Sequence, residues 1–116
     1  MAMLNCHCSD CQLSSGAPFA SGFIVAVAAT QVTGVPSSYT VTAASGGKTT
    51  RSFCGTCGTP LFAHGETFPV MSIRFPTLDD PTSFKPMLDI WTSRAQPWTC
   101  LSPAIPQHER SPSGGA

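Results

Sequence analysis

The chain has 116 residues, which suits one domain with a modest core. Charged residues are 10% of it and the formal net charge is zero. That excludes both the basic stripe of a nucleic-acid surface and a polybasic membrane patch. No apolar run approaches the roughly 20 residues of a membrane span. The stretch Met1 to Leu4 is too short for a secretory h-region, so a reducing compartment, the cytosol, is the expected location. A surface this poor in charge points to cover by another subunit, a homo-oligomer, or by further chain.

Residues 1–22 carry Cys6-His7-Cys8-Ser9-Asp10-Cys11 and then a turn at Ser14-Ser15-Gly16-Ala17-Pro18-Phe19. A short helical turn is expected after Cys11. The β-branched run Phe23-Ile24-Val25-Ala26-Val27 reads as a buried strand, broken at Thr33-Gly34-Val35-Pro36. Ser38 to Thr42 alternates and makes a second strand, and Ala44-Ser45-Gly46-Gly47 a hairpin loop. Lys48 to Phe53 is a third strand, Pro60 to Ala63 a fourth, Val70 to Phe75 a fifth and Asp89 to Thr92 a last short one. Asp79-Asp80-Pro81-Thr82 reads as a turn. No window sustains an apolar period of 3.6 residues. The class is all-β, with irregular loops pinned by metal. Residues 1–101 form the domain, and the Pro/Ser/Gly-rich residues 102–116 a loosely held tail.

Six cysteines dominate the chemistry, three of them within the six residues from Cys6 to Cys11. A second pair sits in Phe53-Cys54-Gly55-Thr56-Cys57-Gly58. Thiolates are soft ligands, and zinc takes four in a tetrahedron. Gly55 and Gly58 can each take positive φ, which turns backbone N–H groups toward the sulfurs. Metal, zinc in particular, is the first reading. Disulfides are a second, although Cys6, Cys8 and Cys11 are too closely spaced to pair easily. An iron–sulfur cluster is a third.

Together, Asn5 to Cys11, Ser15 to Phe19, Arg51 to Leu61, Leu78 to Pro81, Ile90-Trp91-Thr92 and Pro97-Trp98 resemble the glutathione-dependent formaldehyde-activating (Gfa) family. That family includes centromere protein V (CENP-V)-like domains and has an Mss4-like fold of coiled antiparallel sheets. The resemblance implies two zinc sites. Cys6, Cys8 and Cys11 correspond to the site treated as catalytic. Cys54 and Cys57 correspond to half of a structural site, whose other half is an upstream Cys-x-Cys that this sequence does not contain. The second site is thus expected to be incomplete, and the domain to lack its first strands. Asp89 stands where the family more often has His.

The resemblance also implies a substrate, glutathione with formaldehyde, and a carbon–sulfur lyase activity on an S-hydroxymethylglutathione-type adduct. A three-cysteine zinc keeps a fourth position open, where a thiol would be held as thiolate. Against this, three thiolates weaken the Lewis acidity of zinc. A non-catalytic, zinc-stabilised binding module is the alternative. Beside these ligands, His7 and His64 are candidate extra ligands, each more simply a non-ligating residue. Asp10 reads as solvated or as a turn acceptor. Arg51 and Arg74 are candidate partners of a glutathione carboxylate, or plain salt bridges. Cys100 reads as a free thiol, Trp91 as core and Trp98 as rim.

Overall fold

The computed structural model describes residues 2–43, 46–66 and 68–111. The fold is all-β: one sheet of seven strands in the order β3-β4-β5-β6-β2-β1-β7. The strands are β1 (Ala2–Cys6), β2 (Ala20–Ala26), β3 (Ser37–Thr42), β4 (Lys48–Phe53), β5 (Pro60–Gly65), β6 (Val70–Arg74) and β7 (Leu88–Ile90). Every pairing is antiparallel except β1 with β7, which run parallel. The helix α1 (Ser9–Ser15) follows β1 directly and closes on Gly16, whose φ of 66° is the left-handed conformation that a glycine cap takes freely.

Six of these strands coincide, to within a few residues, with the β-rich runs of the sequence. β1 does not, because Ala2-Met3-Leu4-Asn5 is short and carries no β-branched residue. It becomes a strand by pairing on both sides, Asn5 with Ser21 of β2 and with Asp89 of β7. The helical turn begins earlier than expected, at Ser9 rather than after Cys11. In the β3–β4 loop, Ala44 and Ser45 lie outside the described residues, as do residues 112–116 of the tail. Where the composition suggested a loosely held tail from residue 102, residues 106–110 run beside β7. Asp89 N–H donates to Pro106 O (3.0 Å), His108 N–H to Asp89 O (2.9 Å) and Thr92 N–H to His108 O (3.0 Å). The unpaired edge of a three-residue strand is thereby satisfied.

Strand alternation gives the sheet two faces. Cys6, Ala20, Gly22, Ile24, Ser72, Arg74, Ala63 and Arg51 share one face by register. Its middle is built from small residues, which leaves a hollow. At Gly22 a Cβ would run into the Ser72 hydroxyl, so the close approach of β2 and β6 here needs glycine.

The opposite face holds Asn5, whose amide oxygen accepts from Ser21 Oγ (2.7 Å), and the most enclosed polar pair among the described residues. His7 is fully buried and Asp89 nearly so; His7 Nε2 donates to Asp89 Oδ1 at 3.0 Å. The His7 ring also packs on Phe19, centroids 4.9 Å apart. The pair ties the β1–α1 junction to β7. Removing the carboxylate strands a buried imidazole nitrogen, at a cost of about 1–3 kcal/mol. Asp89→Ala should therefore lower the unfolding free energy by that amount, seen as a lower urea midpoint at unchanged slope, and Asp89→Asn by less. An unchanged Asp89→Ala midpoint would show that the pair does not hold the junction.

Candidate metal centre

Three cysteines converge where β1 passes into α1. Cys6 ends the strand, Cys8 is the residue that caps the helix, and Cys11 lies one turn inside it. Alternation sends Cys6 and Cys8 to one side and His7 to the other, into its pair with Asp89. The Cys11 backbone N–H donates to Cys8 Sγ at 3.3 Å, the kind of amide–sulfur contact that orients metal-binding thiolates. The three Sγ atoms all lie within 4.8 Å of one another. Sulfurs sharing a tetrahedral ion at about 2.3 Å stand about 3.8 Å apart, so a small contraction would close the set. The donor set fits a thiophilic ion and supplies three ligands. His7 is not among them.

The electrostatics match. Cys11 is held far below an ordinary thiol, at about 3, because it accepts hydrogen bonds from the Cys6 and Cys8 thiols and faces the Arg51 and Arg74 guanidiniums. Cys6 is pushed up, chiefly because its proton is held against Cys11 and Cys8 and it is buried. Cys8 is pushed up mainly by Cys11. The trio thus shares one negative charge, centred on Cys11. An ion binding all three would displace the remaining thiol protons.

The cluster opens on a cavity of about 420 Å³ in the hollow of the sheet. Its polar wall carries the three cysteines, Asp10, Lys48, Arg51 and Arg74. Its apolar wall includes Leu4, Ile24, Phe68, Met71 and Ile90. Trp91 closes one side in a left-handed conformation, φ 58°, which costs a non-glycine residue about 1–2 kcal/mol. Burial of its ring and the Arg110 guanidinium, 5.7 Å from the ring centroid, hold it there.

The second pair stays apart. Cys54 and Cys57 sit on the tight turn after β4, where Gly58 N–H donates to Cys54 O (2.8 Å) and Cys54 N–H to Thr59 O (2.9 Å). Of the two flanking glycines only Gly58 has positive φ, 78°. Gly55 is required for a different reason, since a Cβ there would meet Ser37 Oγ at 2.7 Å. Cys57 Sγ lies 3.0 Å from Thr59 Oγ1, and hydrogen bonds from Thr59 lower its pKa. Among the described residues no third ligand joins this pair, and neither His64 nor Cys100 completes it. His64 lies in β5, not in a loop, with Nε2 bonded to Phe68 O (3.1 Å). Cys100 is exposed and unpaired with another cysteine, as read from the sequence, and Trp98 is exposed.

One feature escaped the sequence reading: Asp89 pairs with His7 and does not line the cavity. Arg51 and Arg74, named from the sequence as candidate carboxylate partners or plain salt bridges, are both buried and line the cavity, and among the described residues neither is in a salt bridge.

Fold and site together define an all-β protein with a three-thiol, metal-competent centre opening on a small-molecule cavity. The family model described as glutathione-dependent formaldehyde-activating enzyme matches residues 1–94, and the chain belongs to that family. No curated protein matches the chain. Among the described residues no helix is long and apolar enough to cross a membrane.

Titration with cobalt(II), a spectroscopic stand-in for zinc, should give a thiolate-rich absorption signature in the intact chain. Cys8→Ser should remove about one equivalent of tightly held metal, whereas Cys57→Ser should keep the signature of the first centre. Unchanged metal content in Cys8→Ser would refute the assignment.

Proposed function

We propose that Cys6, Cys8 and Cys11 hold a zinc ion and that the cavity beside it takes a small thiol, glutathione or a close analogue. The reaction class is carbon–sulfur lyase chemistry on a thiol–formaldehyde adduct of the S-hydroxymethylglutathione type. Membership of the family supports this reading, and the observation that carries it is the position of the cavity: it reaches the three sulfurs themselves. A purely structural zinc would be closed by a fourth protein ligand, and among the described residues none joins the set. The cavity therefore favours a ligand-taking centre over a zinc-stabilised binding module.

Zinc at this position would supply a Lewis-acid site that favours the thiolate form of an incoming thiol. The chain's own residues do the rest. Cys6, Cys8 and Cys11 fix the position of the centre at the junction of strand and helix. Leu4, Ile24 and Ile90 line the cavity with apolar surface that limits water around the reacting sulfur. Arg51 and Arg74 give that end of the cavity a positive potential, which stabilises sulfur-centred negative charge. In the lyase direction the carbon–sulfur bond breaks with its electron pair left on sulfur. The adduct's hydroxyl gives up its proton to solvent and formaldehyde departs. In the reverse direction the thiolate attacks the carbonyl carbon and the oxygen takes a proton.

None of the cysteines is in a disulfide, which supports a reducing compartment such as the cytosol. The zinc-loaded chain should bind glutathione in calorimetry and turn over S-hydroxymethylglutathione above the uncatalysed rate. Cys11→Ser should bring both to background. A zinc-loaded protein that binds no glutathione would contradict the enzyme reading and favour the binding module.

A further inference from the structure

We propose that Arg51 and Arg74 form a carboxylate-binding pair on the cavity wall, so that the thiol this site takes must carry a carboxylate. The proposal rests on the thiol-binding reading above and adds the feature by which the ligand is selected.

Both side chains are buried, each only 8% exposed. Buried cations are costly unless they are paired, and here Cys11 offers one negative charge to two guanidiniums. Yet among the described residues the single ion pair is His7 with Asp89, and no carboxylate lies within 4.0 Å of either arginine. What they do touch is slight. Arg74 Nη2 donates to Ser14 Oγ at 3.0 Å, and Arg51 Nη2 reaches Cys11 Sγ at 4.0 Å. Each guanidinium has five N–H donors, so most are unused by the protein.

The unused donors have space in front of them. Arg51 and Arg74 line the cavity of about 420 Å³ that reaches the thiols. They also line a second hollow of about 280 Å³, whose other walls include Tyr39, Phe53 and Phe62. The two arginines therefore stand at the boundary between the thiol cavity and an aromatic-walled extension. A ligand entering either side meets their forks.

Three thiolates around a divalent cation leave one net negative charge. Two guanidiniums bring two positive charges, while Lys48 and Asp10 on the same wall cancel. The incoming thiolate neutralises the positive charge that remains, so what calls for a carboxylate is the set of unused guanidinium donors. A planar carboxylate matches the guanidinium fork in bidentate fashion, and the contact is charge-assisted. Because Arg51 already lies 4.0 Å from Cys11 Sγ, the sulfur and carboxylate of one small ligand can be served together.

The test uses the zinc-loaded full chain and two thiols of similar size, mercaptopropionate and the neutral mercaptoethanol, titrated by calorimetry. The intact protein should bind mercaptopropionate about tenfold or more tightly than mercaptoethanol. Arg74→Gln should weaken both thiols through the lost positive potential but mercaptopropionate about tenfold more than mercaptoethanol, so that the preference disappears. If the variant does not fold, the intact chain still decides. At constant ionic strength, sulfate should weaken mercaptopropionate binding and leave mercaptoethanol binding unchanged. Equal affinity for the two thiols in the intact protein, equal losses in Arg74→Gln, or indifference to sulfate would overturn the arginine assignment while leaving thiol binding intact. Failure of both thiols to bind would overturn the thiol reading together with it.

Discussion

Three sulfurs held within 4.8 Å of one another are the constraint on which the rest of this structure depends. Thiolates at that distance repel, and burial strengthens the repulsion by lowering the effective dielectric. Without a metal the protein answers with shared protons: Cys6 and Cys8 keep theirs and Cys11 carries the charge. It adds Arg51 and Arg74 from β4 and β6, strands that reach the site only because the sheet brings them opposite the β1–α1 junction. A thiophilic divalent cation would answer the same repulsion more completely. The site is thus arranged for positive charge whether or not an ion is bound.

Convergence also has to be held from behind. A three-residue turn of chain carries Cys6, His7 and Cys8 in alternating directions. The two outward sulfurs stay aimed only if the inward His7 is anchored. Asp89 does this, and Asp89 is itself fixed by backbone hydrogen bonds to residues 106 and 108. His7 N–H donates to Ile90 O at 3.0 Å and completes the clamp. A chain of contacts thereby runs from the C-terminal segment through β7 to the thiols. The left-handed Trp91 lies on the same path, one residue beyond β7, and its strain is offset by packing at the cavity edge.

The cysteine spacing made the metal centre legible, because ligand convergence is a local property of a short segment. Short runs rich in β-branched or aromatic residues made β2 to β7 legible for the same reason. What could not be read was non-local. β1 has weak strand propensity and is a strand because of its two neighbours. The pairing of His7 with Asp89 joins residues 82 positions apart, and nothing local marks either as buried. Asp89 looked like a departure from a family pattern; in three dimensions it is the partner that buries a histidine. Arg51 and Arg74 were legible as candidate carboxylate partners, but their burial side by side on one face depends on the register of β4, β5, β6 and β2, which no local stretch shows. Gly55 illustrates a smaller limit: a glycine beside a cysteine suggested positive φ, but close approach by Ser37 is what requires it.

The central claim is that three cysteines, and no fourth protein sulfur, form a centre with one open position. X-ray absorption at the zinc edge of the chain loaded with one equivalent of zinc tests it most directly. The account predicts three sulfur scatterers at about 2.3 Å and one nitrogen or oxygen scatterer at about 2.0 Å. A first shell of four sulfurs would mean that Cys54, Cys57 or Cys100 had joined the set and closed it, and would contradict the account.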